Sequence, residues 1–208
     1  MTINMNAPRG SKFRRKPSGK PCASFGCHTK KALRHPKADE FARTRFQERI
    51  AAHEAAGRPV VYIDEAGFAT DMPRTHGYAP RGTRCHGTHD WHAKGRINVI
   101  GALLAGTLLT VGLAASNVDA EIFNLWLEGD LIPKLPHEAV LVMDNATFHK
   151  RSDTAQSIQT AGHTLEFLPP YSPDLNQIEH TWAETKAERR RTGKSVEEVF
   201  KDKIRNQN

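Results

Sequence analysis

The sequence predicts an α/β fold, a mixed sheet with helices on both faces, and three observations lead there. Two short runs, Val60-Val61-Tyr62-Ile63 and Ala139-Val140-Leu141-Val142-Met143, are continuously apolar and rich in β-branched residues, the pattern of strands buried on both sides. Between them, residues 97–104 and 108–113 flank Ala105-Gly106-Thr107 as a pair of strands. Helical patterns interleave with strands from there onward, which places helices on the faces of one sheet. With 208 residues and 38% hydrophobic content, the chain can bury a core without covalent staples.

Taken in order, residues 1–37 read as a basic, flexible arm. Through residue 38 there are 10 Lys or Arg and no Asp or Glu, leaving 20 basic against 23 acidic residues beyond, so the net charge of +7 belongs to the arm. Its Arg14, Arg15 and Lys16 are suited to lie along nucleic-acid phosphates and gain affinity by counterion release, although a solvated tail has the same composition. Residues 38–57 read as a linker helix, with an acidic start, Phe46 and Ile50 four apart, and Gly57 and Pro59 as stop signals. The remainder, 58–208, is the main domain.

Within that domain the strand from Val60 ends by delivering Asp64, and residues 67–94 read as irregular loop. Asp119 is placed to cap a helix carrying Ile122, Phe123 and Trp126 on one face and ending before Pro133. The strand from Ala139 delivers Asp144. A helix over 153–161 closes on Gly162, a last strand covers 164–168, and Pro169-Pro170 stops it. The turn Tyr171-Ser172-Pro173-Asp174 leads into a helix with Ile178 and Trp182 four apart and Glu179 beside them. Ser195 and Glu198 have the spacing of a capping box.

An acid just beyond a buried strand is held rigidly yet stays at the solvent edge, which suits coordination of hard divalent ions through oxygen. Asp64, Asp144 and Glu179 together are the set that two-metal phosphoryl transfer requires: one ion activates a water or hydroxyl, the other stabilises the leaving oxygen. Taken singly, each aspartate is explained as well by a turn or helix cap, so the argument rests on their joint placement.

The strings VYIDEAGF, VMDNATFHK and FLPPYSPDLNQIEHTW closely resemble the bacterial insertion-sequence branch of the mariner superfamily of DDE transposases, including its spacing, with 34 residues between Asp144 and Glu179. The resemblance runs from Thr29 to the C-terminus. It implies an RNase H-like fold and metal-dependent DNA strand cleavage and strand transfer at transposon ends. Asp64, Asp144 and Glu179 would be the catalytic, metal-binding acids, with two Mg2+ ions, or Mn2+ as substitute. The implied partners are transposon-end and target DNA and a second copy of the chain. Three departures stand out. Gln177 replaces the usual proline, Ala66 replaces a common serine, and residues 1–28 show no paired amphipathic helices that would make a helix-turn-helix. End recognition is then expected to come from a separately encoded helix-turn-helix protein, or to be lost.

Asn145 and His149 flank the second aspartate and are candidates to orient a carboxylate or touch DNA; a structural hydrogen bond is the competing reading. Arg81, Arg84, Lys94 and Arg96, and the helix end bearing Lys186, Arg189, Arg190, Arg191 and Lys194, are candidate phosphate contacts. Cys85, His86, His89 and His92 carry zinc-ligand residue types but lack a clean second ligand pair, so a DNA-facing loop is preferred. Three cysteines without framework spacing point to a reducing compartment, the cytoplasm and its nucleoid. No secretory signal is expected, and residues 99–115, with two threonines and three glycines, are short for a membrane span. Two other functions share the features: a structure-selective nuclease of the same fold, and a non-catalytic DNA-binding remnant.

Overall fold

The computed structural model describes residues 35–70, 79–84 and 95–205. Its first element is helix α1, Glu40–Ala55, capped by Asp39, whose side chain accepts the N–H groups of Phe41 and Ala42. Phe46 and Ile50 enter the same core cluster as Val60, Tyr62, Val140 and Val142. Arg43, only 4% exposed, grips both oxygens of Asp174 at 2.9 and 2.7 Å. The helix is thus part of the layer covering the sheet, rather than a linker leading to it.

Five strands form one sheet in the order β3-β2-β1-β4-β5. Strand β1, Val60–Ala69, pairs antiparallel with β2, Arg96–Leu104, from Val61↔Leu104 to Ala69↔Arg96. A tight hairpin joins β2 to β3, Thr107–Ala114. Its central residues, Ala105 and Gly106, both have positive φ (50° and 81°), the twist that favours two-residue hairpin turns. On its other side β1 runs parallel to β4, Val140–Met143, which in turn is parallel to β5, Thr164–Phe167.

Strand β1 differs from expectation in length. Asp64 lies mid-strand rather than at its end, because pairing with β2 continues through Ala69. The parallel pairing with β4 stops at Tyr62↔Val142. Beyond that point no strand among the described residues pairs with β1 on its β4 side, and the sheet opens there.

Alternation along β1 sorts its side chains between two cores. Val60, Tyr62, Ala66 and Phe68 face α1, α4 (Ile178–Thr192) and α5 (Val196–Arg205); Val61 and Ile63 face α2 (Ala120–Trp126), the π turn Leu127–Leu131 and α3 (Ser152–Thr160). Helices therefore cover both faces, as the sequence predicts. Asp119 caps α2 through the Ile122 N–H, and Ser195 and Glu198 exchange side-chain-to-backbone bonds at the start of α5. Gly193 closes α4 in the left-handed conformation, φ 74°. Among the described residues no helix is long and apolar enough to cross a membrane.

Candidate active site

The opening of the sheet beside β1 is where the acids gather. Asp64 follows Tyr62 on the face covered by α4, and Asp144 is the first residue after β4. The turn before α4 is tied to the two residues of β1 that precede Asp64. Asn176 donates its amide to the Ile63 carbonyl at 3.2 Å, and Gln177 donates to the Tyr62 hydroxyl at 3.2 Å. Gln177 thus supplies a bond where the related pattern has proline. Two residues on, Glu179 projects from the exposed first turn of α4.

Trp182, one helical turn further and buried, donates its indole N–H to Asp64 Oδ2 at 3.0 Å. Gly101 sits opposite Asp64 in the β1–β2 register, and a Cβ there would come within 2.5 Å of the Trp182 ring. Glycine at this position lets the indole lie against the sheet.

Asp144 is held differently. Its Oδ1 accepts the Ala146 N–H at 2.8 Å and faces His149 Nδ1 at 2.8 Å, while His149 Nε2 lies 2.9 Å from Glu65 Oε1. His149 is fully buried. Asn145 donates its amide to the Leu168 carbonyl, which ties the end of β4 to the segment after β5.

The electrostatics separate the two aspartates. Burial, followed by the negative charges of Glu179 and Glu65, pushes the Asp64 carboxyl up to about 7, against the opposing Trp182 bond. Asp144 is shifted down, chiefly by the bond with His149, which outweighs its burial. Burial alone would lower His149, but its bonds to Asp144 and Glu65 prevail and hold the ring at about 9. The Asp64 carboxyl thus sits among like charges that a cation would offset.

A pH prediction follows from Asp64. Its folded value lies above the unfolded one of about 3.9, so the folded state binds this proton more tightly. The corresponding stability is fully present below pH ~4 and is lost as pH rises through about 7. In metal-free buffer at pH 8, Asp64→Asn is therefore expected to unfold at a higher temperature than the wild type, with the gain vanishing near pH 4 or when Mg2+ is added. Thermal unfolding across pH checks this; an Asn variant no more stable at pH 8 would contradict it.

The donor set, three carboxylates, fits Mg2+ or Mn2+, which take oxygen ligands. Among the described residues, no three His, Cys, Asp or Glu side chains stand close enough together to make a ready cage. The acids share one edge and one electrostatic environment, without a preformed coordination sphere.

The basic candidates divide. Arg14, Arg15, Lys16 and Lys94, and the cluster Cys85, His86, His89 and His92, lie outside the described residues. Arg81 and Arg84 are exposed in a turn. Arg96 is exposed at the start of β2, and its guanidinium lies over Gly67, where a Cβ would collide with it. Arg190 and Arg191 are exposed at the end of α4. Arg189 corrects the expectation of a phosphate contact: it is 5% exposed and donates to the carbonyls of Ala69, Thr70 and Lys194, fastening the far end of β1 to α4. Its burial faces the sheet because Arg189 falls seven residues, two turns, after Trp182.

Sequence reasoning missed Glu65 and Asn176. Alternation would have put Glu65 on the face opposite Asp64, but its partner His149 is 84 residues away, and no local pattern joins them. Asn176 reads locally as a turn residue.

A five-stranded sheet among the described residues, with three antiparallel strands followed by two parallel ones and with Asp64 on the central strand and Asp144 just after its parallel neighbour, defines an RNase H-like nuclease domain. The family profile described as DDE superfamily endonuclease matches residues 59–199, and the chain belongs to that family. No curated protein sequence matches significantly. Solved structures show the same fold. The mariner Mos1 paired-end complex with Mg superposes with a TM-score of 0.63 at 18% identity, over 85% of this chain and 58% of that one. The Mos1 paired-end complex with the left transposon end gives 0.61 at 16% identity, over 79% and 54%. The catalytic domain of Mos1 mariner transposase alone gives 0.52 at 16% identity, over 82% of each chain. The chain thus spans little more than half the length of the transposases in the complexes.

Proposed function

We propose that the chain is the catalytic domain of a DNA transposase, cleaving strands at transposon ends and transferring the freed 3′ end to target DNA with two Mg2+ ions, or Mn2+ in their place. The observation that carries this reading is the convergence of Asp64, Asp144 and Glu179 from the central strand, its parallel neighbour and the covering helix, with Asp64 held at about 7 by burial and like charge. Bound there, the ions would activate a water or 3′-hydroxyl and stabilise the leaving oxygen. Asp64, Asp144 and Glu179 would hold them. Trp182 orients Asp64, and the Ala146 N–H and His149 orient Asp144.

Structures of the same fold hold transposon ends, Mg and Mn, which supports DNA and divalent ions as ligands here. Arg81, Arg84, Arg96, Arg190 and Arg191, together with Lys94 and the arm residues Arg14, Arg15 and Lys16, would contact phosphates. Pairing of two ends implies a homodimer on DNA, a separately encoded helix-turn-helix protein would supply end recognition, and the nucleoid is the expected location.

Incubation of the purified protein with supercoiled plasmid and a recessed 3′-hydroxyl duplex, with and without Mg2+ or Mn2+, tests the reading. Metal-dependent nicking accompanied by joined products is expected. Nicking without joining would assign a structure-selective nuclease. Neither activity, even with the helix-turn-helix partner present, would assign a DNA-binding remnant.

A further inference from the structure

We propose that Glu65 is a positioning residue for the carboxylate of Asp144, acting through His149 to aim one oxygen of Asp144 at a divalent cation. The inference rests on the reading of Asp144 as a metal ligand. Glu65 and Asp64 are adjacent on β1, so their side chains leave opposite faces of the sheet. Asp64 faces the α4 side directly. Glu65 faces the other side and meets His149, at the end of the 3-10 turn that follows Asp144.

The geometry forms a line of contacts. Glu65 Oε1 is 2.9 Å from His149 Nε2, and His149 Nδ1 is 2.8 Å from Asp144 Oδ1. That same Oδ1 also accepts the Ala146 N–H at 2.8 Å. One oxygen of Asp144 is therefore engaged by two donors. The other has no protein hydrogen bond among the described residues, on a side chain that is 48% exposed. The arrangement fixes the carboxylate plane and leaves one oxygen for a ligand from outside.

Glu65 matters because His149 cannot turn to solvent. The ring is wholly buried and packs against Phe123 with centroids 4.6 Å apart. Two carboxylate oxygens, one on each ring nitrogen, set its plane; with Glu65 removed, a buried N–H is stranded and the ring is released to find another orientation. Groups that orient a metal ligand through one intermediate contact typically change metal affinity about 10- to 100-fold when removed.

Mn2+ binding to the full, metal-free chain, followed by calorimetry or by the Mn2+ electron paramagnetic resonance signal, reads this directly. Glu65→Ala is expected to weaken binding about 10- to 100-fold. Glu65→Gln, whose carbonyl still accepts from Nε2, is expected to recover most of it. Glu65→Asp, which withdraws the oxygen from the ring, should behave like Ala and serves if the Ala variant does not fold. His149→Ala should lose as much as Glu65→Ala, and combining the two should lose no more. Folded Glu65→Ala or Glu65→Asp binding Mn2+ within twofold of the wild type would overturn the proposal, as would additive losses in the double variant. Asp144→Asn binding Mn2+ like the wild type would instead overturn the ligand assignment, and is scored separately.

Discussion

Asp144→Asn is expected to lose metal-dependent DNA cleavage by about 10²- to 10³-fold, the scale on which a single group that stabilises charge at the reacting centre acts. Asparagine keeps the shape of the side chain, and its oxygen can still accept the Ala146 N–H and face His149 as Asp144 Oδ1 does. What it removes is the negative charge, already favoured in the wild type because His149 shifts the Asp144 carboxyl downward. DNA affinity should stay within a few-fold, since phosphate binding depends on arginines and lysines that the substitution does not touch. Asp64→Asn and Glu179→Gln should fail in the same way. Nicking rates beside filter or gel-shift affinities check the pair of outcomes, and wild-type cleavage by the Asn variant would remove Asp144 from the chemistry.

Trp182→Ala is expected to give the largest loss of stability. The side chain is 1% exposed, fills the core between β2 and α5, and stands edge-on to Phe68 and Phe200 at 6.2 and 5.9 Å. Removing a buried aromatic of this size costs about 3–5 kcal/mol, which in a domain of this length lowers the melting temperature by roughly 10 °C. Trp182→Phe separates packing from function. Phenylalanine retains much of the aromatic packing but has no N–H for Asp64 Oδ2, and the lost bond is one that lowers the Asp64 pKa. The Phe variant should stay folded while Mn2+ binding requires a higher pH than in the wild type, because less of Asp64 is ionised at any given pH. Unfolding curves and the pH dependence of Mn2+ affinity test both variants; a Phe variant with an unchanged pH dependence would show that the indole serves packing alone.

The buried strands, the hairpin around Ala105-Gly106 and the caps at Asp119 and Ser195 were legible because each leaves a local mark, and the three candidate acids were chosen from the same local marks. Val140–Met143 has no polar residue to interrupt it, and Ile178 and Trp182 keep helical spacing beside Glu179. The features that escaped depend on partners far along the chain. Strand β1 extends past Asp64 because β2 pairs with it as far as Arg96, although the sequence from Gly67 onward looks like loop. Arg189 read as a phosphate contact, yet the carbonyls of Ala69 and Thr70 take it into the structure, and Arg43, which leaves no mark in the sequence, is buried against Asp174. Charged residues are rarely buried unless paired, and the sequence does not show the pairing.

The order in which the three acids occur along the chain sets when the site can exist during synthesis. Asp64 is made early, but β4, which leads to Asp144, begins only at Val140, and Glu179 and Trp182 come only with α4, after every strand of the sheet. A polypeptide that ends between residues 145 and 178 has Asp64 and Asp144 but neither Glu179 nor the Trp182 indole. Under the proposed function, the capacity to cut DNA would therefore arrive only with α4, once every strand of the sheet that holds the first two acids has been made.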